Sequence, residues 1–290
     1  PGLGAGVIVD YSGAMTRAPT PDNYVPDGTP LDVALQRTTH LGIGAHPDDL
    51  EIIAIHGILA CYQASDAHFT GIVACDGSGS PRDGAYAGFD NARMAAQRRL
   101  EQRQAAELGA YNAVIQLGFP SDAVKNDPEA IESMLVSLLL QSKPEVVYMH
   151  QLVDRHATHR VLARATIKAL RRLPAGERPR AVYGVEVWGS LDWLPAPWRT
   201  ALPIDDPEKL QAALLRCHDS QINGGKRYDK AVIARQKANA TLAESHATDS
   251  MKACALAMDL TPLMQEDGPS VDAYLRRCFS TFASTHAPHT

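Results

Sequence analysis

From residue 40 the chain alternates short, almost wholly apolar runs with longer amphipathic ones, and few folds accommodate that rhythm. The apolar runs are "HLGIGA", "HFTGIVAC", "YNAVIQLG", "PEVVYMH" and "PRAVYGVEVW". Each has the length of a strand and is too continuous to leave one face in water. Strands buried on both faces belong to parallel sheets, because only crossover helices cover both sides. The segments between them have helical length and apolar stripes: "LEIIAIHGILACYQ", "NARMAAQRRLEQRQAAELGA", "DPEAIESMLVSLLLQS" and "HRVLARATIKALRRL". An Asp precedes the Pro-Glu start of the third, as a helix cap should. The expected fold is α/β: a Rossmann-like, mostly parallel sheet with helices on both faces.

The rhythm also divides the chain. Residues 1–38 are rich in Pro, Gly and Thr and read as an N-terminal arm, mostly irregular, with a short helix in "PLDVALQRT". Residues 39–190 carry the Rossmann-like core. Residues 191–290 begin with the loop-like "GSLDWLPAPWRTALPIDD" and continue with helical patterns, so they read as a C-terminal helical and loop cap. No flexible linker separates the two parts, and 39–290 is expected to be one catalytic domain. The arm leaves room for a homo-oligomer.

Composition narrows the partners. With 28 basic and 33 acidic residues, the formal charge is −5, the opposite of a nucleic-acid footprint. The five cysteines are scattered and include no C-x-x-C pair, which fits a reducing, cytoplasmic setting. No apolar run approaches the ~18 residues of a membrane span. The expected partner is therefore a small molecule.

Two polar clusters fall directly after predicted strands, where open parallel sheets bind their ligands. His46-Pro47-Asp48-Asp49 follows the first core strand. "MHQLVDRHATHR" ends the fourth and supplies His150, Asp154, His156 and His159. Adjacent carboxylates repel each other, and burial near a core adds a desolvation cost. A divalent cation would offset both. Zn²⁺ accepts imidazole nitrogen and carboxylate oxygen, and a His₂Asp set of His46, Asp49 and His159 leaves a coordination position for water. The same set suits Fe²⁺ or another divalent ion. Taken alone, HPDD could equally be a turn with a helix N-cap, and H-x-x-H a surface helix start; their pairing at two strand ends favours a site.

"GAHPDDLE" together with "DRHATH" resembles the LmbE-like N-deacetylases of the PIG-L superfamily, and "RRLEQRQAAELG" resembles that family's Arg-x-x-Glu segment. The resemblance implies a zinc-dependent hydrolase that removes an N-acetyl or other N-acyl group from an amino sugar or amino-sugar glycoside. It implies His46, Asp49 and His159 as metal ligands and Asp48 as the base that deprotonates the metal-bound water. His156, in protonated form, would stabilise the oxyanion, and either Asp48 or His156 would protonate the leaving amine. Arg98, Asp122 and Asp154 are expected to meet the substrate. The alternative is a non-catalytic carbohydrate-binding or assembly protein on the same fold, which would have lost the base or a ligand.

Other features point elsewhere. "DGSGSPRDGAYAG" lacks the G-x-S-x-G pattern of a nucleophile elbow and reads as a loop near the site. No G-x-G-x-x-G follows a strand, which argues against a dinucleotide. His218 and His246 are expected at solvated positions on cap helices.

Overall fold

A computed structural model describes residues 21–205, 207–244 and 246–286 of the chain. Their centre is an eight-stranded sheet of order β1-β4-β3-β2-β5-β6-β8-β7. The strands are β1 (Asp22–Tyr24), β2 (His40–Gly44), β3 (Phe69–Cys75), β4 (Ala113–Phe119), β5 (Val146–His150), β6 (Ala181–Val185), β7 (Arg199–Pro203) and β8 (Cys254–Asp259). The five central strands, β4-β3-β2-β5-β6, pair in parallel, with His40 opposite both Phe69 and Val146. These are the five apolar runs of the sequence. Every residue of β3 and β5 is buried, as expected for strands covered on both sides.

The α-helices among the described residues are α1 (Leu31–Gln36), α2 (Leu50–Ile53), α3 (Ile55–Cys61), α4 (Asn91–Leu108), α5 (Ser121–Asn126), α6 (Pro128–Ser142), α7 (Ala157–Arg171), α8 (Ala212–Arg216), α9 (Asp219–Ile222), α10 (Tyr228–Thr241) and α11 (Val271–His286). Two are capped as their sequences demand. The Asp90 side chain accepts from the Arg93 N–H at the start of α4, and the Asp127 side chain accepts from the Ala130 N–H at the start of α6. The single helix expected over "LEIIAIHGILACYQ" is instead two, because the backbone leaves helical geometry at Ala54. Close packing against the sheet depends on small residues. A Cβ at Gly71 would stand 2.5 Å from Leu50 Cδ1, so the absent side chain makes room for the buried Leu50 of α2 against β3.

Three strands depart from the sequence reading. Asp22–Tyr24, within the expected arm, adds an antiparallel edge to β4; the arm's helix is present as α1, and residues 1–20 lie outside the described residues. The C-terminal cap is not only helix and loop. It returns β7 and β8 to the sheet, antiparallel to each other and to β6. An edge position explains β7: Pro203 ends a strand that has no neighbour on its outer side among the described residues, where a missing N–H costs nothing.

The sheet order fixes where a ligand can go. From β2 the chain proceeds outward through β3 and β4, and from β5 it proceeds the other way through β6. The reversal lies between β2 and β5. Loops leaving the carboxyl ends of two such strands separate and leave a crevice. Those two loops are His46–Asp49 and His150–His156.

Candidate metal centre

Both loops aim their side chains into that crevice. After β2, the His46 N–H donates to Asp49 Oδ2 at 2.7 Å, which folds the tetrapeptide back on itself. Asp48, between them, takes a φ of 104°, a left-handed conformation that costs a non-glycine residue about 1–3 kcal/mol. After β5, Asp154 Oδ1 accepts the His156 N–H at 2.8 Å, and α7 starts there with His159 on its buried first turn.

Three donor atoms then meet. His46 Nδ1 lies 3.2 Å from His159 Nε2 and 3.3 Å from Asp49 Oδ2, and His159 Nε2 lies 3.5 Å from the same oxygen. A tetrahedral ion with metal–ligand bonds of 2.0–2.2 Å separates neighbouring ligand atoms by about 3.3–3.6 Å. The triangle therefore has the size zinc requires, and the sequence-predicted ligands are the residues that form it. His159 and Asp49 are buried, whereas His46 is partly exposed, so the triangle has a closed and an open side. His156 stands on the open side, with ring centroids 4.9 Å from His46 and 4.6 Å from His159; His46, His156 and His159 form a second possible donor set, and Asp49, His150 and His159 a third.

A third imidazole adjoins Asp49. His150 is fully buried, its Nε2 is 3.2 Å from Asp49 Oδ2, and its ring stacks on His159 at 3.7 Å. The Ala45 N–H donates to that Nε2 at 2.9 Å. The lone pair a metal would need is thus engaged by backbone, and His150 serves as a buttress for His159. The sequence places it in the cluster, but its occupied nitrogen depends on a strand neighbour 105 residues away.

The electrostatics follow this packing. Burial alone would raise the Asp49 carboxyl, but His159 and His150 outweigh it and hold the group well below the usual range. Burial raises Asp48 in spite of Arg98, which favours the anion, and Asp49 adds to the rise. Burial, followed by the charge of His159, pushes both His150 and His156 down to about 4. Both causes disfavour the protonated His156 expected from the sequence. His159 is raised: burial works against its cation, but Asp49 and Asp154 prevail.

Two residues expected to meet substrate are placed differently. Arg98 is 2% exposed; its Nη2 is 2.8 Å from Asp48 Oδ2 and also donates to the Pro47 carbonyl, while Nη1 donates to Ser80 Oγ. It holds the Asp48 loop and ties it to the Gly-rich loop. Asp154 is 1% exposed, with Oδ1 3.3 Å from His159 Nδ1 and Oδ2 accepting the Trp188 N–H at 3.1 Å. It orients the imidazole and the loop after β6, as carboxylates behind metal-bound histidines do. Asp122 does stand exposed, at the start of α5, paired with Lys125 at 2.6 Å.

Residues 41–170 match the family model PIG-L, described as GlcNAc-PI de-N-acetylase. Residues 41–170 are a PIG-L family domain. The match spans β2 to α7 and so contains both loops of the crevice. Solved structures agree on the fold of this PIG-L domain and its surroundings. The 4-carboxy-2-hydroxymuconate hydratase of Pseudomonas putida superposes with a TM-score of 0.60 at 19% identity, covering 77% of this chain and 95% of that one. The N,N'-diacetylchitobiose deacetylase of Pyrococcus horikoshii gives 0.59 at 15% identity, over 81% and 88% of the two chains. A teicoplanin deacetylase, solved in a zinc-inhibited form, gives 0.54 at 14% identity, over 77% and 97%. No curated protein matches the chain in sequence. Among the described residues, no helix is long and apolar enough to cross a membrane.

Proposed function

We propose that this protein is a metal-dependent hydrolase that removes an N-acetyl or related N-acyl group from an amino sugar or its glycoside. The observation that carries the reading is the triangle of His46, Asp49 and His159, with a second carboxylate, Asp48, on the same loop and paired with Arg98. The de-N-acetylase after which the PIG-L family is named and two structural relatives that are deacetylases point the same way. A zinc ion held by the triangle would polarise the amide carbonyl and make water acidic enough to lose a proton near neutral pH. The hydratase relative shows that the fold also serves water addition without amide cleavage, so the products must decide between the two. The five free cysteines favour a reducing, cytoplasmic site of action.

The chain's own residues divide the proton work. Asp48 is raised by burial yet kept next to a guanidinium, which suits a carboxylate that takes a proton and later returns it. A His156 held down by burial and by its imidazole neighbours is the weaker candidate for the acid. Its remaining contribution is an N–H aimed at the oxyanion, worth a few kcal/mol for a preorganised donor. The proton from water therefore goes to Asp48 and from Asp48 to nitrogen as the C–N bond breaks, giving free amine and carboxylate. Arg98 holds the carboxylate through both protonation states. A non-catalytic binding protein would have no use for such a base, and this chain keeps Asp48 together with the donors His46, Asp49 and His159.

Asp48→Asn tests the assignment. In zinc-loaded protein we expect amine release to fall by about 10²–10⁴, with zinc content unchanged. Full activity in that variant would remove Asp48 as the base.

A further inference from the structure

Asp48 holds a left-handed backbone, with φ 104°, that its own residue type disfavours, so its neighbours must hold it there. Helix α4 does so from two successive turns of one face. Arg98 grips the Pro47 carbonyl and Asp48 Oδ2, and Gln102, four residues on, accepts the Asp48 N–H through Oε1 at 3.2 Å. An amide side chain can turn either end towards that N–H. What fixes Gln102 is on its other side: its Nε2 donates to Glu51 Oε1 at 2.8 Å. Glu51 is fully buried and collects three donors, since the Tyr111 hydroxyl also donates to Oε1 at 2.8 Å and His218 Nε2 lies 2.9 Å from Oε2. An ionised carboxylate only accepts. Gln102 must therefore turn its NH₂ to Glu51 and its oxygen to Asp48.

We propose that Glu51 and His218 are positioning residues for Asp48, acting through the polarity they impose on Gln102. His218 was expected at a solvated position; it is 1% exposed and reaches Glu51 from the turn before α9. The 2.9 Å contact between His218 Nε2 and Glu51 Oε2 is closed to solvent from both sides. The Gln211 Nε2 donates to the Glu51 carbonyl at 3.1 Å from the same segment. The chain beyond the PIG-L match thus reaches the catalytic loop through a line of directed hydrogen bonds, and not only by covering it.

The activity readout rests on the deacetylase reading, so a second readout is independent of it: hydrogen exchange of the Asp48 amide, followed by NMR in zinc-loaded protein. Glu51→Gln keeps the volume but lets the Gln102 amide turn over. It should lower kcat at least tenfold, leave KM and zinc affinity within twofold, and speed exchange at the Asp48 amide at least tenfold. His218→Ala should do the same to a smaller extent, and His218→Gln, which restores a donor, should recover part of the loss. Gln102→Met removes the acceptor directly; in that background E51Q should change neither kcat nor Asp48 exchange further. If E51Q has the same effect with Met at position 102 as with Gln, or lowers zinc affinity in step with kcat, the proposal fails. If the parent protein releases no amine, the exchange measurements alone still decide it. Should E51Q not fold, the H218A and Q102M pair carries the same comparison.

Discussion

Replacing Asp154 by Asn leaves the volume unchanged and still breaks the site, because every polar neighbour of Asp154 is a donor. Oδ1 faces the His156 N–H at 2.8 Å and His159 Nδ1 at 3.3 Å; Oδ2 faces the Trp188 N–H at 3.1 Å and the Gly189 N–H at 3.5 Å. An Asn must turn its NH₂ towards one of these pairs. The longer contacts to Trp188 and Gly189 make that side the cheaper one. A buried donor left without an acceptor costs about 1–3 kcal/mol, so metal-free Asp154→Asn should lose about 2–3 kcal/mol of stability. The remaining oxygen keeps His159 in place but without the carboxylate's charge, and loss of such an outer partner lowers metal affinity about 10–100-fold. Competition with a chromophoric chelator measures the zinc Kd, and thermal melts with and without zinc measure the stability. We expect weaker zinc binding, a lower Tm in the metal-free state, and a KM for substrate that is little changed once zinc is saturating. Unchanged zinc affinity combined with a raised KM would refute the reasoning and return Asp154 to the substrate.

Acidity should affect the metal-free protein in two directions. His150 and His156 are held at about 4, below the ordinary imidazole value of 6.5, so the unfolded chain takes up protons that the folded one refuses. Their stabilisation is complete above about pH 6.5 and is lost as pH falls towards 4; for fully buried His150 this amounts to roughly 3 kcal/mol. His159 and His218 are raised, so their stabilisation is complete below about 6.5 and is lost as pH rises through their folded values. Tm in chelator should therefore peak near pH 6.5, and a Tm that climbs steadily on acidification would contradict the assignment. Gly57→Ala tests the packing of α3 on the sheet, since a Cβ there runs into the Tyr148 ring of β5. Overpacking of this kind costs about 1–3 kcal/mol, so Tm should fall by several degrees with zinc stoichiometry intact.

The parts of the fold legible in the sequence are those where burial writes itself into continuous apolar runs. Strands β2 to β6 are such runs, and the two site loops follow from knowing where β2 and β5 end. The edges were not legible for a physical reason. β1 is three residues of "DNY", and β7 carries Arg, Thr and a terminal Pro, because an edge strand need bury only part of itself. β8, "CALAMD", lacks the β-branched residues that advertise a strand, and it is recruited by its neighbours β6 and β7. At the site, the residues of the donor triangle could be read because they lie within two short motifs. The partners behind them could not. Arg98 and Asp154 look like exposed polar groups until the fold buries them against Asp48 and His159. Glu51 and His218, 167 residues apart, have no local signal that they pair.

The most direct test of the account is a measurement of products. Zinc-loaded protein is incubated with N-acetylglucosamine and a panel of its glycosides, and free amine and acetate are both quantified, with and without chelator. At least one member should release amine and acetate in equal amounts, chelator should abolish the release, and added zinc should restore it. A protein that holds one zinc ion yet releases no amine from any N-acylated sugar, or one whose activity is indifferent to chelator, would contradict the deacetylase reading.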